Sequence, residues 1–69
     1  MLQSFILKTI NVYRQLPKED QSYYKQLLGL SADCSIMDVE QALERMYKSN
    51  RNKAVEIAKE MDDELLDLQ

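Results

Sequence analysis

Leu27-Leu28-Gly29-Leu30-Ser31-Ala32-Asp33-Cys34-Ser35-Ile36-Met37-Asp38-Val39 decides the fold, because it reads as the end of one helix and the start of the next. Gly29 is the only glycine in the chain. At that place it supplies the left-handed conformation of a helix C-cap, and Leu30 folds back over the last turn. Six residues later, Ser35 with Asp38 forms a variant capping box. The serine oxygen takes an orphan backbone N–H and the carboxylate reaches back to the serine N–H. A stop followed so soon by a start describes two helices joined by a short turn.

Upstream, Lys18-Glu19-Asp20 opens the first of these two helices after Pro17, the only proline. Proline suits the first helical turn, and early carboxylates complement the positive end of the helix dipole. Tyr23, Tyr24, Leu27 and Leu28 are its apolar positions. Before Pro17, Leu2, Phe5, Ile6, Ile10 and Tyr13 recur at helical spacing, with Val12 and Leu16 at the edge of that face. Proline disfavours helix in the residue before it, which ends this first segment.

Downstream of Ser35, Ile36, Val39, Ala42, Leu43, Met46 and Tyr47 mark one face of a third helix, which fades near Ser49-Asn50-Arg51-Asn52. Asn52 is a suitable N-cap for a fourth. Ala54, Ile57, Ala58, Met61, Leu65 and Leu68 form its stripe, while Val55 and Leu66 sit off it and widen the apolar surface. The spacing therefore predicts a single all-α domain over residues 1–69, a compact bundle of three to four helices at about 2–15, 18–28, 36–49 and 53–67. The expected core is Phe5, Ile6, Ile10, Tyr24, Leu27, Leu28, Leu30, Val39, Leu43, Met46, Ala54, Ile57, Ala58, Met61 and Leu65.

At 69 residues such a bundle is marginal alone and must find support in helix packing or oligomerisation. One cysteine, Cys34, rules out an internal disulfide, and with no histidine a structural zinc site lacks its usual ligands. No cofactor is expected. No stretch reaches the roughly 20 apolar residues of a membrane span. Lys8 interrupts the short run Phe5-Ile6-Leu7 and no small-residue cleavage site follows, so no signal peptide is expected. With an unpaired cysteine, this points to the cytoplasm or another reducing compartment.

The chemistry of catalysis is poorly represented. Histidine, the commonest general base at neutral pH, is absent. Cys34 precedes a helix N-terminus, where a thiol pKa can fall, but no histidine is available to activate it. The carboxylates Asp38 and Glu40, or Asp62, Asp63 and Glu64, are close neighbours on a helix and point in different directions. The chain is expected not to be an enzyme.

Charge says more about partners. The net charge is −3; residues 1–52 carry seven basic and six acidic side chains, and residues 53–69 carry two basic and six acidic. The overall balance argues against nucleic acid, with Arg45, Lys48, Arg51 and Lys53 as the only local basic cluster. The stretch Met61-Asp-Asp-Glu-Leu-Leu-Asp-Leu-Gln69 instead mixes leucines with carboxylates. It reads either as a solvated face or as a docking helix whose leucines enter an apolar groove with a basic rim. Of the four tyrosines, Tyr24 is assigned to the core and Tyr23 to the surface as an interface anchor. The candidate partner-binding residues are Tyr23, Val55, Met61, Asp62, Asp63, Leu65, Leu66 and Leu68. The expected function is a non-enzymatic protein–protein interaction module, such as an adaptor or assembly factor. A structural homo-oligomer formed through the fourth helix is the alternative, and nucleic-acid binding through Arg45, Lys48, Arg51 and Lys53 is a third, less favoured reading.

Residues 24–43 also resemble the start of a J-domain. Tyr24, Leu28, Gly29, Leu30, Ser31, Asp33, Ser35, Asp38, Val39 and Ala42 match that family's aromatic, its Leu-Gly turn and the opening of its longer helix. The family's His-Pro-Asp triplet, which stimulates a chaperone ATPase, is replaced by Arg51, Asn52 and Lys53. The resemblance thus implies a chaperone-like regulator that binds without stimulating an ATPase.

Overall fold

A computed structural model describes residues 2–68, so Met1 and Gln69, the last residue of the acidic leucine stretch, lie outside the described part. The described residues form four helices and no strand: α1 (Leu2–Gln15), α2 (Lys18–Leu27), α3 (Ile36–Ser49) and α4 (Arg51–Asp67). Together they make a small helical bundle of 30 × 24 × 17 Å.

Local chemistry sets each boundary. α1 stops at Gln15, and Pro17 (φ −60°, ψ 158°) stands as the N-cap of α2. Pro17 has no N–H to donate and offers no side-chain cap. The connection is held from the other side: the Gln21 side-chain amide donates to the carbonyls of Tyr13 (3.1 Å) and Leu16 (3.0 Å). The end of α2 is a Schellman motif. Leu30 N–H donates to Lys25 O at 2.8 Å and Gly29 N–H to Gln26 O at 3.0 Å, with Gly29 at φ +74°. Lys25 extends its ammonium to Ala32 O at 3.0 Å, which fastens the following turn to the helix it leaves. α3 opens with the reciprocal Ser35–Asp38 capping box.

The start of α4 differs from expectation. The helix begins at Arg51, not near residue 53, and its N-cap is Asn50, whose Oδ1 accepts Lys53 N–H at 3.2 Å. Asn50 also donates its own N–H to Met46 O at 2.6 Å, so one residue closes α3 and opens α4. Asn52, the expected cap, lies inside the first turn. The short asparagine amide serves at either position, and here the role falls to Asn50, the one residue that separates α3 from α4.

The core lies where α1, α3 and α4 meet and α2 closes over them. Ile10, Val12, Tyr13, Leu16, Tyr24, Val39, Leu43, Ile57 and Met61 form its buried cluster, joined by the buried Ala42 and Ala54. Phe5 near the start of α1 lies against Tyr47 near the end of α3, with ring centroids 4.7 Å apart, and Arg14 borders the same depression as Glu40. These contacts set α1 antiparallel to α3.

The core departs from the expected list at its edges. Val12 and Leu16 are buried rather than marginal, because α1 is covered from more than one side. Leu27 is exposed: α2 turns Tyr24 and Leu28 inward, and position 27 falls off that stripe. Phe5, Ile6, Leu28, Leu30, Met46, Ala58 and Leu65 are half-buried. Thr9, a polar residue that hydropathy passes over, is buried, and its hydroxyl is satisfied by Phe5 O at 2.7 Å.

Candidate functional site

The end of α4 carries most of the surface candidates. Its stripe Ala54, Ile57 and Met61 is buried against the bundle, and Leu65 packs at the edge of the core. Met61 is completely buried, so it is a core residue and no part of a contact surface. It falls at i+4 from Ile57, and the other helices cover that face fully at its level. Past Leu65 the cover ends. Leu66 is 66% exposed and Leu68 54% exposed. Asp63, Glu64 and Asp67 stand exposed among them and Asp62 is half-buried. No basic side chain occupies the last turn of α4. Four carboxylates therefore add to the negative end of the helix dipole around two free leucines.

Val55 lies elsewhere. It is half-buried in a depression between α1 and α4, with Phe5, Thr9, Ala58 and Asp62, so α1 covers part of the surface it was expected to offer. Tyr23 is exposed on α2, and its ring meets Tyr24 edge-on at 5.1 Å between centroids. The candidates are thus distributed over three places. Asp62, Asp63, Leu66 and Leu68 share the end of α4, Val55 sits in the α1–α4 depression, and Tyr23 stands on α2.

Tyr24 is the most tightly enclosed of the aromatic residues. Burial pushes its phenol up to about 12, reinforced by the carboxylates of Glu64, Glu60 and Asp20 and by Tyr23. Tyr13 is also raised, first by burial and then by Cys34. Both rings act as packing groups with a phenol that stays protonated at neutral pH. Cys34 is a free, half-buried thiol against the core. Among the described residues no group of three His, Cys, Asp or Glu is placed to hold a metal ion, and no helix is long and apolar enough to cross a membrane.

The local basic cluster is partly engaged. Lys48 pairs with Glu44 at 3.2 Å, and the Arg51 guanidinium lies over the Tyr47 ring at 5.5 Å. Arg45 and Lys53 border a depression with Leu28, Met46 and Asn50.

One surface was not foreseen from the sequence. Leu7 on α1 is 68% exposed and Met37 on α3 is 61% exposed, and the two border one open groove. Leu7 belongs to a short apolar run and Met37 sits just inside a cap, so neither stands out by hydropathy. The available signal was phase: Leu7 lies about 100° around the helix from the core residue Ile6. No protein-family model, curated protein or solved structure matches the chain.

Proposed function

We propose that the chain is a non-enzymatic protein-interaction module that docks the end of α4 into an apolar, basic-rimmed groove of another protein. One observation carries this reading: Leu66 and Leu68 remain exposed past Leu65, where the cover of the core ends, and they stand on opposite sides of the end of α4 among Asp62, Asp63, Glu64 and Asp67. Apolar anchors give a docking helix its affinity, and like-signed flanking charges set which groove accepts it. The same charges oppose self-association through this surface, since two such ends would bring carboxylates together. A homo-oligomer is therefore the weaker reading.

A J-like regulator is one form of this proposal. The turn chemistry supports it: Gly29 has its positive φ, Leu30 folds back, and Ser35 and Asp38 cap α3. The positions corresponding to His-Pro-Asp are Arg51, Asn52 and Lys53, and they form the first turn of α4. On this reading the chain binds and does not stimulate an ATPase.

Parallel affinity capture with wild type and Leu66→Glu tests the module. A protein retained by wild type and lost by the variant is the expected result. Identical recovery by both removes this surface from the proposal.

A further inference from the structure

We propose that the open groove between α1 and α3 is a second docking surface, and that its occupant is an amphipathic helix of another protein with apolar anchors flanked by lysine or arginine. The groove is independent of the α4 end. One wall comes from α1, with Leu2, Ile6 and Leu7; the other comes from α3, with Met37, Glu40 and Glu44. On α3 the residues Met37, Glu40, Gln41 and Glu44 recur at i, i+3, i+4 and i+7, so they form one stripe along the helix. A stripe of this kind facing a parallel row of apolar side chains matches the geometry by which a groove receives a helix.

The side chains define the chemistry of the occupant. Leu7 and Met37 are more than half exposed, whereas Ile6, which also lines the groove, packs against the core. Methionine is unbranched and polarisable and adapts to an incoming apolar surface. Both charged groups bordering the groove are carboxylates. Glu40 makes no ion pair among the described residues, and Glu44 is paired only with Lys48 in an exposed i,i+4 contact at 3.2 Å. Such exposed pairs are weak and readily exchanged for an incoming cation. Lys8 and Arg14 border an adjoining depression with Glu40 without pairing to it.

This charge pattern excludes other occupants. Nucleic acid and anionic lipid surfaces present phosphates, which two carboxylates repel. A second copy offers Leu66 and Leu68 among four carboxylates, Leu7 and Met37 beside Glu40 and Glu44, and Tyr23 and Leu27 on the α2 face that carries Glu19, so each pairing would set acid against acid. A helix with basic flanks satisfies Glu40 and Glu44 while its apolar face covers Leu7 and Met37.

The test is selection of a displayed library of helical peptides about 16 residues long, unbiased in charge, on the full chain. Clones are then measured against Leu7→Glu/Met37→Glu, Glu40→Lys/Glu44→Lys and Leu66→Glu proteins whose circular dichroism matches wild type. Recovered peptides should carry leucine-like residues at i, i+3 or i+4 with Lys or Arg beside them. Their binding should weaken about tenfold or more on each groove variant and stay unchanged on Leu66→Glu. Recovery of neutral or acidic peptides, equal binding to the groove variants, or no binder at all overturns the proposal. So does a concentration-dependent dimer in sedimentation that Leu7→Glu dissociates, because the occupant is then a second copy. Loss of binding on Leu66→Glu alone assigns the peptides to the end of α4, which overturns the groove and leaves the function proposed above intact.

Discussion

Gln21 of α2 caps α1: its side-chain amide donates to Leu16 O at 3.0 Å and, with the same nitrogen, to Tyr13 O at 3.1 Å. The last carbonyls of a helix lack the partners of an inner turn; Leu16 N–H reaches Tyr13 O at 3.1 Å, and Pro17 brings no further N–H to this corner. A side chain from the next helix fills that role and fixes how α2 leaves α1. Gln21→Ala should lower stability by about 1 kcal/mol, the net value of such bonds, once water has taken over part of their role. In a domain of this size that lowers Tm by about 4–8 °C. Gln21→Glu should be at least as damaging, since a carboxylate cannot donate and faces two carbonyl oxygens. Thermal denaturation followed by circular dichroism reads both; a Gln21→Glu protein as stable as wild type removes the cap from the account.

The α3–α4 corner rests on one residue. Asn50 closes α3 through its N–H and opens α4 through its side chain. Asn50→Ala should therefore cost about 1 kcal/mol, within the usual range for an N-cap. Asn52→Ala should be neutral or slightly stabilising, because Asn52 occupies an exposed helical position where alanine is preferred. Denaturant midpoints of the two variants decide which asparagine is the cap, and the reverse order would restore the start near residue 53.

The fold was largely legible because its boundaries are written in local chemistry. Pro17, Gly29 and the Ser35–Asp38 pair each act within one turn, so sequence spacing locates them. Where two nearby residues could perform the same act, as Asn50 and Asn52 could, spacing does not choose between them. Burial was less legible, because it depends on how many neighbours a helix has. Val12 and Leu16 are buried only because other elements cover α1 broadly, while Leu27 is exposed because α2 is covered narrowly. The surface was least legible. Leu66 could be singled out as off-stripe, but the groove at Leu7 and Met37 exists only once α1 lies beside α3.

Tyr24 gives a dependence on pH. Its phenol is raised to about 12 in the folded state, against 10.0 for the unperturbed group. The folded chain then holds this proton more tightly than the unfolded chain does. The resulting stability is fully present below pH 10 and is lost as pH rises from there toward 12. Tyr24→Phe keeps the ring, removes the titration and should flatten the alkaline fall in stability relative to wild type. Urea midpoints measured across that window check it. Parallel slopes for the two proteins would show that Tyr24 does not carry the effect, leaving Tyr13, whose phenol is also raised, to account for it.

Leu43 and Leu66 should separate folding from binding. Leu43 is fully buried at the centre of the core, so Leu43→Asp places an unpaired charge where no water or cation reaches it. A small domain has only a few kcal/mol of stability, and a change of this kind costs about 4 kcal/mol or more, enough to unfold the chain. Leu66 is mostly exposed, and Leu66→Glu should change stability by less than about 0.5 kcal/mol. One more carboxylate there extends an acidic surface that already exists. Circular dichroism of both variants is the measurement: loss of the helical signal in Leu43→Asp and its retention in Leu66→Glu are expected. That retention gives the binding test its meaning, because a partner lost from a folded Leu66→Glu protein is lost at the surface. A folded Leu43→Asp protein would move the core away from α3, and an unfolded Leu66→Glu protein would make the end of α4 structural.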